Sequence, residues 1–185
     1  MKFSEAQSLV VSEVAATLDA VSDDEVAALS RSIADADRVF FVGVGRVLLA
    51  LESVAKRLGH LGVDTVVVGQ VTEPAITPTD LLVVGSGSGE SAVPLAIAAK
   101  AASIGARVAH IGANPVSSMA AHTGVFVRIP VQTKFSTGAE VSSVQPMTSL
   151  FEQCLLLLGD SLALALIDTE GIDLASLWQH HANLE

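Results

Sequence analysis

Residues 85–91 read GSGSGES, between an aliphatic run, DLLVVG, and an Ala-rich stretch, AVPLAIAAKAA. Gly85, Gly87 and Gly89 let the backbone turn through conformations closed to other residues and expose its N–H groups. Ser86, Ser88 and Ser91 add hydroxyl donors. A helix starting just after the loop would point its partly positive N-terminus at the same place. This is the chemistry of a small phosphate ester site. Glu90 fits it less well, because a carboxylate there competes with a bound anion; contacts to sugar hydroxyls or capping of backbone groups suit it better. The same composition also serves a plain strand–helix turn.

A second Gly turn, GVGR (43–46), ends in Arg46, which could bring positive charge to a ligand. Neither turn completes the dinucleotide pattern G-x-G-x-x-G, since the third glycine would fall on Leu48 or on Glu90. No G-x-x-x-x-G-K-[ST] is present either, so no nucleotide cofactor is expected. Further along, Gln145, Thr148, Ser149 and Glu152 form a polar stripe at helical spacing. Met147, Phe151, Cys154, Leu155 and Leu158 form the apolar face beside it. A carboxylate in so apolar a helix is solvent-facing, paired, or poised as a base. His60 closes the helix that follows GVGR, where the helix dipole alone favours a histidine. His110 reads as a satisfied core or rim histidine, and His122, His180 and His181 lack ligand spacing, so no metal is expected. Trp178 reads as a packing anchor, and Cys154, the single cysteine, as a small buried hydrophobe.

The elements that must hold these residues alternate along the chain. An amphipathic helix over about 4–21 precedes a second that Ser22 opens, with Glu25 three residues on as a capping-box partner, ending near Asp37. Aliphatic strands then recur at 38–43, 64–69, 80–85, 107–112 and 124–130. Helices are expected at 47–60, 92–103 with Gly105 as the stop, and briefly at 116–122. A polar loop around Gly138 leads to Pro146, expected in the first turn of a long helix reaching Ile167. The tail 172–185 reads as a short helix plus a terminus. Strands alternating with helices indicate an α/β protein with a doubly wound parallel sheet, in which ligands bind beyond the carboxyl ends of strands.

Composition agrees with that architecture. Half of the 185 residues are hydrophobic but only 4% are aromatic, so the core must be built from Ala, Val, Leu and Ile. A formal net charge of −10 argues against a nucleic-acid partner and requires any phosphate to be bound by local donors. The N-terminus, MKFSEAQ, has no apolar signal core, and Asp160 interrupts CLLLLGDSLALALI before it reaches membrane-spanning length, so a cytoplasmic protein without membrane contact is expected.

FVGVGR, AKRLGHLG, VVVGQVTEPAITPTDLLVVGSGSGES, IGANPVSSMA, SSVQPMTSLFEQ and HHANLE together resemble the 6-phospho-3-hexuloisomerase family, the sugar isomerase (SIS) domain enzymes of the ribulose monophosphate pathway. SGSGE alone marks only the SIS superfamily; its combination with RLGHLG, QPM-x-x-LFEQ and HANLE is far more specific. The resemblance spans nearly the whole chain. It implies one SIS domain over 1–185, three-layered and Rossmann- or flavodoxin-like, with a five-stranded parallel sheet and a helical arm over about 1–37. It implies interconversion of D-arabino-hex-3-ulose 6-phosphate and fructose 6-phosphate through a cis-enediol, without metal or nucleotide. It also implies a homotetramer with sites near subunit boundaries.

By the same resemblance Ser86, Gly87, Ser88, Gly89, Glu90 and Ser91 hold the phosphosugar, with Gly45, Arg46 and Val47 on the neighbouring turn. Glu152 matches the proton acceptor, and His60 matches an assisting histidine that reaches a neighbouring subunit's site. Val47 and Leu48 stand where the family carries Ser-Gly, and Thr148 replaces a glycine. Val47 cannot donate a hydrogen bond, and a polar group left without its partner costs about 1–3 kcal/mol. An isomerase for another phosphosugar and a non-catalytic sugar-phosphate-binding module therefore stay open as alternatives.

Overall fold

The computed structural model describes residues 1–133 and 140–184; the polar loop expected around Gly138 lies outside the described residues. The elements follow the expected alternation: α1 (Phe3–Leu18), α2 (Asp23–Ala34), β1 (Val39–Val42), α3 (Gly45–His60), β2 (Thr65–Val67), β3 (Leu81–Gly85), α4 (Ala92–Ile104), β4 (Arg107–Gly112), β5 (Val125–Arg128) and α5 (Ser149–Glu170). Short 3-10 helices occupy Ser118–His122 and Leu174–His180. The strands form one parallel sheet in the order β2-β1-β3-β4-β5.

The strands are continuous apolar runs because both faces of the sheet are covered. Successive side chains point to opposite faces. Val39, Phe41, Leu81, Val83, Ala109 and Ile111 face α2, α3 and α5, with α1 packed outside on α5. Phe40, Val42, Leu82, Val84 and Val108 face α4 and the first 3-10 helix. The result is three layers, with the bulk of the helices on one side.

Three local expectations are corrected. Ser22 does cap α2, accepting from the Glu25 N–H at 3.4 Å, but the capping box is not closed: the Glu25 carboxylate instead accepts the Arg128 N–H at 2.7 Å. Arg128 ends the edge strand, and Glu25 supplies the acceptor that a further strand would have offered. The long helix starts at Ser149, not at Pro146, and runs on to a left-handed cap at Gly171. Met147 has a positive φ of 57° and is exposed, so it leaves the apolar face, whereas Phe151, Cys154, Leu155 and Leu158 are buried as expected. Finally, α5 is 22 residues long and apolar enough, by length and composition, to cross a membrane. Asp160 does not break it, because that side chain sits on the outer face and pairs with Arg57 at 3.4 Å. The opposite face, including Leu150, Leu155, Leu158 and Leu162, is core.

Gly159 of α5 packs directly against Val54 of α3. A methyl group added at Gly159 would overlap the Val54 side chain. Gly159→Ala is therefore expected to destabilise the fold by about 1–3 kcal/mol through overpacking, outweighing the helix propensity that alanine adds. Denaturant unfolding checks this; a variant as stable as the wild type would show that α3 and α5 have room to separate.

Candidate functional site

β1 and β3 are neighbours, with Val42 level with Val84, so the turns that leave them lie side by side. From β1 the chain goes to the β2 edge, and from β3 toward β4 and β5. This reversal leaves a crevice at the carboxyl ends of the two strands. The N-terminus of α5 closes it from a third side. The resulting cavity, about 660 Å³, is lined by Gly45, Arg46 and Val47 from the first turn, by Ser86, Gly87, Ser88 and Ser91 from the second, and by Thr148 and Glu152.

The serine loop is held from behind. Ser86 is buried; its N–H donates to the Ile111 carbonyl and its Oγ accepts the Gly89 N–H, both at 3.1 Å. The Ser86 hydroxyl also donates to Ser91 Oγ at 3.3 Å. The Gly87 carbonyl accepts the N–H groups of Ala113 and Asn114, and the Ser88 carbonyl accepts Asn114 Nδ2. Gly89 has a φ of +68°, and a side chain there would run into Ser117. His110, buried within β4 as expected, donates from Nε2 to the Ser86 carbonyl at 2.9 Å. Burial lowers its pKa, against the opposing pull of the Ser86 hydrogen bond. Ser91 precedes α4 but makes no side-chain cap bond, which leaves the first N–H groups of that helix open to an anion.

Val47 presents methyl groups to the cavity and packs against Gly85, where any Cβ would lie 2.8 Å from Val47 Cγ1. Glu152 is nearly buried and paired on both oxygens. Oε2 accepts Arg46 Nε, and Oε1 accepts the Thr148 hydroxyl at 3.0 Å. Of the three states open to this carboxylate in the sequence, the structure has the paired one.

Three candidates stand apart from the cavity: Gly89, whose N–H is held by Ser86, and Glu90 and His60. Glu90 turns away and accepts the Ser118 N–H at 2.7 Å, so it caps backbone, and the Ser118 hydrogen bonds hold its carboxyl below the ordinary range. His60 lies at the far end of α3, roughly 21 Å along the helix from Arg46 at about 1.5 Å per residue. It lines a separate cavity of about 570 Å³ with Arg57, Asp160, Trp178 and His181. Its ring stacks on His181 with centroids 5.4 Å apart, and its Nε2 is buried without a hydrogen-bond partner. Burial, then the nearby Lys56, Arg57, His181 and His180, lowers its pKa. Trp178 is exposed at the rim of this cavity, not anchored in the core. The sequence reading missed Gln132, Thr133 and Ser143, which also line the first cavity. The first two follow a strand's carboxyl end by a few residues, the position at which a parallel sheet binds ligands, and that signal could have found them.

The SIS domain family matches residues 32–157. The 3-hexulose-6-phosphate isomerase of Bacillus subtilis is 36% identical over 185 residues, covering 100% of both chains. That of Mycobacterium gastri is 40% identical over 178 residues, 96% of this chain and 89% of the relative. Among solved structures, a Methanococcus jannaschii protein whose structure infers a 3-hexulose-6-phosphate isomerase function superposes with a TM-score of 0.85 at 25% identity, covering 98% of this chain and 99% of that one.

The depressed His110 value has a consequence for stability. The unfolded chain binds a proton at this residue near pH 6.5, whereas the folded chain resists it until lower pH. The stabilising contribution is thus complete above about pH 6.5 and is lost as pH falls through the folded value. His110→Gln should flatten the loss of stability between pH 7 and pH 5 in denaturant melts. An unchanged slope would mean that the acid sensitivity resides elsewhere.

Proposed function

This chain belongs to the SIS domain family, and from that premise we propose that it is a 6-phospho-3-hexuloisomerase, converting D-arabino-hex-3-ulose 6-phosphate reversibly to fructose 6-phosphate. The observation that carries the site assignment is the convergence of the serine loop, Arg46 and Glu152 on one cavity at the β1–β3 crevice. Ser86, Ser88, Ser91 and the open N-terminus of α4 receive the phosphate, with the N–H group of Gly87 beside them, while Gly89 shapes the loop through its bond to Ser86. Glu90 supports that loop by its hold on Ser118. Gly45, Arg46 and Val47 flank the sugar, Val47 by shape alone.

Glu152 removes the proton at C2 of the hexulose, giving a cis-enediol, and returns a proton to C3. The carbonyl moves from C3 to C2, and one carboxylate serves both carbons from one side. Arg46 pairs with this carboxylate. The guanidinium is largely exposed, so it can swing to the arriving phosphate or developing oxyanion and release Glu152 as a base. His60 of the partner subunit shuttles the proton between O2 and O3; its depressed pKa suits a neutral imidazole for that role. We read 1–185 as one domain, the assembly as a homotetramer and its place as the cytoplasm. The exposed Leu49, Leu157, Leu164 and Trp178 on α3, α5 and the tail support the assembly.

The test is formation of fructose 6-phosphate from the hexulose phosphate. Glu152→Gln should lower turnover roughly 10²–10⁴-fold with the fold intact. Equal turnover would remove Glu152 as the base, and no turnover by a folded wild type would remove the reaction itself. Mixing separately inactive Glu152→Gln and His60→Asn proteins under subunit exchange should restore part of the activity. Mixtures that stay inactive would place His60 outside the partner's site.

A further inference from the structure

Among the described residues, the wall of the cavity between β5 and α5 has no helix or strand of its own. Residues 143–148 carry Ser143, Gln145 and Thr148 into the cavity and then start the helix that bears Glu152. Upstream, this segment is tied to the sheet side by the bridge between Val131 and Val141. Its second tie comes from the other end of the chain. Glu13 of α1 places Oε2 against the Ser143 hydroxyl at 2.6 Å and against Gln145 Nε2 at 2.9 Å. Its Oε1 accepts the Val144 N–H at 2.9 Å. The Ser143 hydroxyl oxygen also receives the Gln145 N–H at 3.0 Å, closing a small network.

Three donors converge on one side chain, and only a carboxylate offers acceptors on both atoms; an amide would set an N–H₂ group against a donor. Burial pulls the Glu13 carboxyl upward, but the bonds from Ser143, Val144 and Gln145 together outweigh it and lower its pKa. α1 packs along α5, so the clamp and the base-bearing helix share one support.

We propose that Glu13 is a positioning residue: through Ser143, Val144 and Gln145 it sets the wall from which Gln145, Thr148 and Glu152 meet the substrate. Gln145 thereby becomes a substrate-facing residue whose orientation is dictated from the N-terminal helix. This inference rests on the isomerase reading for its kinetic consequence, but not for its structural one.

The experiment compares Glu13→Gln, Thr17→Val and Glu5→Gln with the wild type. Thr17 is buried on the same helix and donates to the Glu13 backbone carbonyl, so its valine variant loosens α1 without removing the carboxylate. Glu5 accepts from the Lys2 N–H and controls for charge. Kinetics are read as kcat and KM, melting temperature reports stability, and amide hydrogen exchange at Val144 reads the clamp without ligand. Glu13→Gln should lower kcat/KM roughly ten- to hundredfold, the scale of a misplaced reacting group, with faster exchange at Val144. Thr17→Val should lower the melting temperature with little effect on kcat, and Glu5→Gln should change neither. The inference is overturned if Glu13→Gln leaves Val144 exchange unchanged, or if activity merely follows melting temperature across the three variants. A wild type without turnover would end the isomerase reading alone, and the exchange data would still decide for or against the clamp.

Discussion

β1 and β3 lie side by side, and the chain leaves their carboxyl ends in opposite directions. The crevice that this reversal opens is set by the topology, before any functional residue is considered. Each feature of the site is then a way of furnishing it. Gly85 is bare because Val47 and Leu51 pass within contact distance of it. The serine loop can follow because Ser86 is pinned to Ile111 and His110 and its hydroxyl ties Gly89 and Ser91 together.

An anion site in a chain of net charge −10 has to be local. Long-range attraction does not help, and screening within about 10 Å limits the reach of distant charges in any case. The cavity accordingly relies on hydroxyls, backbone donors, a helix terminus and Arg46. Arg46 carries two duties in sequence. Without ligand it satisfies a nearly buried carboxylate that would otherwise be costly to hold. On the proposed reading, the same charge is available to phosphate or oxyanion when substrate arrives. The pair thus offsets the cost of holding the carboxylate nearly buried and, on the proposed reading, keeps a positive charge beside the base.

α5 joins these duties to the rest of the molecule. Its apolar face fills the core beneath the sheet, its first turn presents Glu152, and its outer face pairs Asp160 with Arg57 near His60. One helix therefore links the cavity of Glu152 with the separate surface where His60 stacks on His181. Within a single chain those two regions are a helix length apart, which is why a role for His60 in proton transfer needs a second copy.

Much was determined by sequence alone. Alternating aliphatic runs dictate strands buried on two faces, and glycines at 89 and 105 mark left-handed turns that no other residue makes as easily. The serine loop and the family motifs around Glu152 were legible because their residues are contiguous or share a helical period. What tertiary structure decided concerns partners distant in the chain. The acceptor for Arg46 lies 106 residues away, and the donors for Glu13 lie 130 or more away. Glu25 left its capping box for an edge-strand amide, and Glu90 spent its carboxylate on Ser118. Met147 left the helix face because the chain turns through positive φ before α5 begins. Local patterns fix backbone periodicity, since that depends on neighbours in sequence. Charged and polar side chains choose among all donors and acceptors the fold brings within reach, and only the packed chain defines that set.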